Sequence, residues 1–364
     1  MKKIYLRGVY KKNLGDDLLI KILCDRYKNS KFYSLNYRNG SKKSPSENLY
    51  LKNINSKFYK VLNNSFARLK KINPIEAHYI NKSDFVIIIG GSIFMERKDF
   101  IKDKKIFGIN WYNNLNKNYY IIGANIGPVY TDEYISRIKE GIISKATDVC
   151  LRDKKSYSYL KDCKNVRVGS DIVFSMDINK DYSKEEKKKV IISVIDIDKK
   201  SNQIINPNQE KYDETICNMI DLFINKNYEV ELFSFCKSEG DEIAIERILE
   251  KNKYKDKVNK YYYDGNIKKA LDELGTAKII VGTRFHANII GMIMKKTVIP
   301  IIYNDKTREM LNDINFKGKF IDIERIEEFN VNNITEKDLE YKIDIKKSKE
   351  EAERHFKELD KILK

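Results

Sequence analysis

Short runs of β-branched residues recur along the chain, each followed by a turn and then by apolar residues at helical spacing. "KIYLRGVY" leads into "KKNLGDD" and the helical "LLIKILCDRY". "DFVIIIGGS", "YYIIGANIGPV", "DVCLRDKKSYSYLKD" and "VRVGSDIVF" repeat the theme up to residue 178. A lysine-rich gap, "NKDYSKEEKKK" over 179–189, interrupts it, and the pattern then restarts. "VIISVIDID" and "YEVELFSFC" read as strands, and "DETICNMIDLFINK" and "DEIAIERILEKN" as helices. "AKIIVGT", a helix from Arg284 to Lys296, and "TVIPIIY" form a further unit. Apolar runs without alternation, separated by helices, predict βαβ units and parallel sheets buried on both faces. The expected fold class is α/β, with two Rossmann-like halves at 1–178 and 179–340. Ala352, Phe356, Leu359 and Leu363 predict a closing amphipathic helix over 341–364. Residues 38–80 are polar and irregular, and read as loops and a helix.

Length agrees, since 364 residues suit about two domains with cores of their own. The net charge of +17 is spread along the chain and mixed with Asp and Glu, with no basic helix studded with aromatics. Nucleic acid is therefore not expected as a partner. The diffuse charge reads as a solvated surface that attracts anionic substrates or an anionic membrane face. Five cysteines, Cys24, Cys150, Cys163, Cys217 and Cys236, form no C-x-x-C pair and fit reduced thiols in a cytoplasmic protein. "MKKIYLRGVY" is too short and charged for a signal peptide, and no apolar run approaches a membrane span.

Ligands of parallel α/β sheets bind at the carboxyl ends of the strands, so those turns hold the candidate chemistry. In the first half they carry Asn13, Gly15, Asp16 and Asp17, then Gly90 and Gly91, then Arg152 and Asp153. Asp16 and Asp17 open a helix, where carboxylates cap N–H groups; Asp16 is also a candidate general base. No G-x-G-x-x-G or Walker A sequence appears. In the second half, "VGTRFHANIIG" places Gly282 at the turn, Thr283 as N-cap and Arg284 to His286 in the first helical turn. That turn offers N–H groups, a permanent cation and an imidazole to one anion. Lys306, beyond the next strand, can face the same pocket. His355 falls on the polar side of the tail helix and His78 in an irregular segment, both structural or exposed. Three histidines and unclustered cysteines argue against a His/Cys metal site.

The ordered set "GVY…NLGDD", "IIIGGS", "IGANIGP", "CLRDKKSYSYLKD", "VGSD" and "VGTRFHANIIGMIMKKTVIPIIYNDKTREML" resembles the polysaccharide pyruvyl transferase family along nearly the whole chain. The resemblance implies two Rossmann-like domains facing each other across a cleft, as in GT-B glycosyltransferases. It implies transfer of the enolpyruvyl group of phosphoenolpyruvate to two hydroxyls of a sugar, giving a pyruvate ketal, with no cofactor beyond this donor. Arg152, Arg284, His286 and Lys306 would bind the donor, with His286 the candidate acid. The acceptor would be a saccharide, free or lipid-linked, met in the cytoplasm or at the inner membrane face. Tyr10, Lys11 and Lys12 stand where the family has a glycine- and tyrosine-containing turn, and the strand end at 90–92 is shorter in glycines. Both departures bear on the acceptor. Two other readings are a GT-B glycosyltransferase using a nucleotide sugar and a non-catalytic anion-binding protein.

Overall fold

The computed structural model describes residues 1–37, 43–69, 71–96, 109–178, 185–203 and 207–364. It divides into two compact units: residues 1–11, 16–175 and 348–364 form the first, and 12–15 with 176–347 the second. The anticipated gap at 179–189 lies partly outside the described residues. Its last residue, Lys189, already opens a strand and is buried against Glu231 and Glu273, at 2.9 and 2.6 Å. So not every lysine of the basic excess is a solvated surface charge.

The first unit is built on seven parallel strands: β1 (Lys3–Arg7), β2 (Lys31–Asn36), β3 (Leu49–Asn53), β4 (Phe85–Ile89), β5 (Tyr119–Ala124), β6 (Asp148–Leu151) and β7 (Val166–Val168). Their order is β3-β2-β1-β4-β5-β6-β7, with Ile4 paired to Phe32 on one side and to Phe85 on the other. β4, β5 and β6 are buried at every residue, the signature of a sheet covered on both faces. The segment expected as loops and one helix instead holds β3 and two helices, Ser56–Arg68 and Pro74–Asn81, while 38–42 and 70 lie outside the described residues. His78 is exposed on the second of these helices rather than in irregular chain.

The second unit has six parallel strands: β8 (Lys189–Ser193), β9 (Glu229–Ser234), β10 (Val258–Tyr262), β11 (Ile279–Gly282), β12 (Thr297–Ile302) and β13 (Ile321–Asp322). Their order, β10-β9-β8-β11-β12-β13, repeats that of β1 to β6 in the first sheet, with no counterpart of β7 among the described residues. In each sheet the order reverses beside the first strand, at β1/β4 and at β8/β11. Crevices at such switch points are where doubly wound folds bind ligands.

The tail is not one helix. Lys346–Glu353 and Lys357–Leu363 flank a 3-10 turn at Arg354–Phe356, and residues 348–364 belong with the first unit. Arg26 holds the tail through Glu353 and Asp360, at 2.8 and 2.7 Å. The turn rotates His355 inward, so the residue expected on the polar side is fully buried. No helix among the described residues is long and apolar enough to cross a membrane.

Candidate active site

At the switch point of the second sheet, Gly282 ends β11 beside Ser193 of β8. Thr283 is fully buried, and its hydroxyl lies 2.9 Å from the Tyr212 hydroxyl. It is not the expected N-cap, because a bond to a neighbouring helix has claimed its side chain. Arg284 takes the cap position with its own N–H on Ser193 Oγ, 3.2 Å away, and the helix runs Phe285–Ile293.

The Arg284 side chain does not stand ready for an incoming anion as the sequence suggested. Its Nε donates to Asp241 Oδ2 at 2.9 Å, Nη2 to Asp241 Oδ1, and Nη1 to Glu239. Asp241 is itself fixed by the N–H groups of Phe235 and Cys236, each at 2.9 Å, and Glu239 takes a second cation, Lys200, at 2.6 Å. Burial works against these charges, and pairing outweighs it at Arg284 and Glu239 but not at Asp241, whose carboxyl burial holds above its ordinary pKa in spite of Arg284 and the backbone N–H groups. Arg284 ends well above its ordinary pKa because Asp241 and Glu239 outweigh its desolvation. Glu239 ends well below the usual carboxylate range because Arg284 and Lys200 outweigh its own.

His286 follows in the first turn of the same helix, half-buried and edge-on to Phe285 with centroids 5.1 Å apart. Its imidazole lies directly on Gly15: a Cβ there would sit 1.8 Å from Nδ1, so only glycine fits. Gly15 is presented by Asn13, whose Oδ1 accepts the Gly15 N–H at 3.0 Å, and by Leu14, whose N–H reaches Phe235 O at 3.2 Å. Asn13 thus supplies the side-chain acceptor at the start of helix Leu14–Arg26. Asp16 and Asp17 come within the first turn, Asp17 buried and Asp16 half-buried.

Lys306 lies in the first turn of helix Asp305–Asp313, whose cap is Asn304. Its Nζ is 5.6 Å from the Phe285 ring centre and 5.8 Å from that of Tyr303, which follows β12. Burial pushes the Tyr303 phenol up, yet Lys306, Lys200 and Arg284 outweigh it and leave the pKa below the ordinary value. The second unit therefore brings together Asn13, Gly15, Arg284, His286 and Lys306. It adds Lys200, Glu239, Asp241 and Tyr303, which the sequence reading did not single out. Their signal was available in part: "SEGDE" is an acidic turn after a strand, and Tyr303 is the last residue of "TVIPIIY".

The remaining candidates belong with the first unit. Arg152, past the end of β6, donates to Asp171 at 3.0 Å and to Asn125 at 2.6 Å. Its guanidinium covers Gly91, where a Cβ would lie 2.5 Å from Nη1, and Gly90 precedes it at the end of β4. Asp16 counts with this unit too. Beside these groups His355 accepts the Gly123 N–H on Nδ1 at 3.2 Å and donates from Nε2 to Ser170 O at 2.7 Å. Burial lowers its pKa to about 4.

Two parallel-sheet α/β units with matching strand order are a GT-B-like fold, and solved structures share it. The UDP-GlcNAc 2-epimerase of Methanocaldococcus jannaschii superposes with a TM-score of 0.59 over 99% of both chains at 11% identity. The S. aureus MnaA–UDP structure gives 0.58 over 100% of this chain and 98% of that one at 14% identity. Anabaena Alr3699/HepE in complex with UDP gives 0.52 over 100% and 99% at 10% identity. At such identities the likeness is one of fold. A search of curated proteins returned no match. The family itself is settled by sequence: a polysaccharide pyruvyl transferase model matches residues 13–305, and the chain belongs to that family.

Proposed function

We propose that this protein moves the enolpyruvyl group of phosphoenolpyruvate onto two hydroxyls of a sugar in a cell-surface polysaccharide or its precursor, forming a pyruvate ketal. The observation that carries this reading is the convergence, in one unit, of His286, the Arg284 network, Lys306 and Tyr303 at the carboxyl edge of β8, β11 and β12. All but Lys306 fall within the residues matched by the family model.

Phosphoenolpyruvate carries a carboxylate and a phosphate close together. Three cations, Lys200, Arg284 and Lys306, stand here against two carboxylates, Glu239 and Asp241, which leaves one positive charge over. Two nine-residue helices, Phe285–Ile293 and Asp305–Asp313, begin at this edge and add their N-terminal dipoles. Since Arg284 is bound to Asp241, its part is to hold the edge in shape and to supply field, while Lys306 is the anion ligand.

His286 gives its proton to C3 of the donor, C2 becomes electrophilic, and a sugar hydroxyl forms the C2–O bond while a base takes its proton. Phosphate leaves with its C–O electron pair, and a second hydroxyl closes the ketal. Of the two hydroxyl protons, one replaces that lost from His286 and the other leaves with phosphate. Asp16 is one candidate base. Tyr303, whose phenolate is favoured by Lys306, is the other. Acid and base help of this kind contributes about 10²- to 10⁴-fold each, and fixed charge adds electrostatic stabilisation.

The test is incubation with phosphoenolpyruvate and a panel of free and lipid-linked saccharides, reading phosphate release and ketal formation. Turnover of a UDP-sugar with no use of phosphoenolpyruvate would instead favour a glycosyltransferase, as the UDP-bound structural neighbours would suggest.

A further inference from the structure

Among the described residues nine large hydrophobic side chains are exposed, and four of them fall between residues 50 and 69: Tyr50, Phe58, Val61 and Leu69. Helix Ser56–Arg68 carries two of them, Phe58 and Val61. Its inner line, Tyr59, Leu62, Asn63 and Phe66, follows the 3.6-residue period into the first unit, where Tyr59 is 7% exposed and hydrogen-bonds Glu76. A second line, Phe58, Val61 and Ser65, points away from the protein, with Phe58 56% and Val61 68% exposed. Leu69, 64% exposed, follows the helix end. A surface helix of a globular protein needs one apolar stripe, not two.

The charge around the second stripe is one-sided. From Asn48 to Ile75 the sequence carries six basic residues and no acidic one, although Asp and Glu number 53 in the whole chain. Lys52, Lys57, Lys60 and Lys71 are exposed, and Lys57 and Lys60 flank Phe58 and Val61 on the helix. An acid-free apolar stripe edged with lysines matches a surface that is negative at its face and hydrocarbon beneath, and it matches a folded protein partner less well.

We propose that helix Ser56–Arg68, with Tyr50, Leu69 and the flanking lysines, is a docking surface for an anionic lipid bilayer. Phe58, Val61 and Leu69 enter the headgroup boundary while Lys52, Lys57, Lys60 and Lys71 meet the lipid charges. The helix lies in the interface and does not span it. This surface stands apart from the reaction, because docking can be read without turnover.

Flotation of the full chain with vesicles provides the test. Binding is expected to phosphatidylcholine vesicles containing phosphatidylglycerol, to weaken at high salt, and to be slight on phosphatidylcholine alone. Phe58→Glu with Val61→Glu should abolish it. Lys57→Gln with Lys60→Gln should weaken it roughly 30-fold, from about 1 kcal/mol per basic residue. All four positions are exposed, so an unchanged melting temperature for each variant shows that the fold is retained. Failure of the wild-type chain to float with anionic vesicles, or undiminished flotation of the Phe58→Glu/Val61→Glu variant, would overturn the proposal. So would sedimentation showing a dimer that the same variant dissolves in a chain that does not bind vesicles, since the stripe would then be covered by a second copy.

Discussion

Each sheet ends in the same three groups: a buried arginine, an aspartate that fixes it and takes backbone N–H bonds, and a histidine. In the first unit these are Arg152, Asp171 and His355, with Asp171 accepting the Val173 N–H at 2.9 Å. In the second they are Arg284, Asp241 and His286. The arginine–aspartate pair alone therefore does not mark chemistry, because both edges use it to hold a loop. What differs is the surroundings. His355 has both ring nitrogens engaged and no exposure, whereas His286 is half-buried on a glycine, with Lys306, Lys200 and Tyr303 around the same arginine. One edge is closed and neutralised, and the other keeps titratable groups beside a surplus cation.

The sharpest way to break this comparison is Arg284→Ala. It leaves Asp241 buried without its cation and Glu239 with Lys200 only, at an expected cost of about 3–5 kcal/mol in stability by denaturant unfolding. Transfer should be lost as well. Removing Asp241 together with Arg284 should restore part of the stability and none of the activity. If the double variant transferred pyruvyl groups normally, the second edge would be as purely structural as the first.

Next in size is His286→Gln, expected to lower phosphate release about 10²- to 10⁴-fold with little change in melting temperature. His355→Gln should do the opposite, lowering stability and sparing the chemical step. Tyr303→Phe comes third. It keeps the ring under Lys306 and removes only the hydroxyl, so a drop of about 10²-fold in kcat is expected, with loss of the limb of the pH profile that rises as the base ionises. An unchanged profile would return the base role to Asp16.

Much of this was legible in sequence, and the failures have physical causes. Strands buried on both faces, such as Phe85–Ile89, announce themselves as unbroken apolar runs. The outer strands β3 and β10 carry exposed polar residues and do not. Arg284 and His286 stood out as a pair because they are two residues apart. The carboxylates that hold Arg284 lie 43 and 45 positions back and meet it only through strand order. Thr283 has the composition of a cap, but Tyr212 offered a buried partner. His355 was misplaced because helical counting assumes an unbroken helix, and the 3-10 turn at Arg354–Phe356 resets the phase.

That misplaced histidine supplies the smallest effect, and the one most specific to the closed edge. Folded His355 has its pKa lowered to about 4 by burial, against about 6.5 in an unfolded chain. The fold thus prefers the neutral ring, and the unfolded chain binds the extra proton. Stability from this group is complete above about pH 6.5, declines as pH falls, and is gone below about pH 4. The span corresponds to about 3 kcal/mol at most. Denaturant unfolding of the wild-type chain should show this loss, and His355→Gln should flatten the curve in that window while lying lower at pH 8. His286→Gln should leave the slope as it is. If instead His286→Gln flattened it and His355→Gln did not, the assignment of the closed and open edges would be reversed.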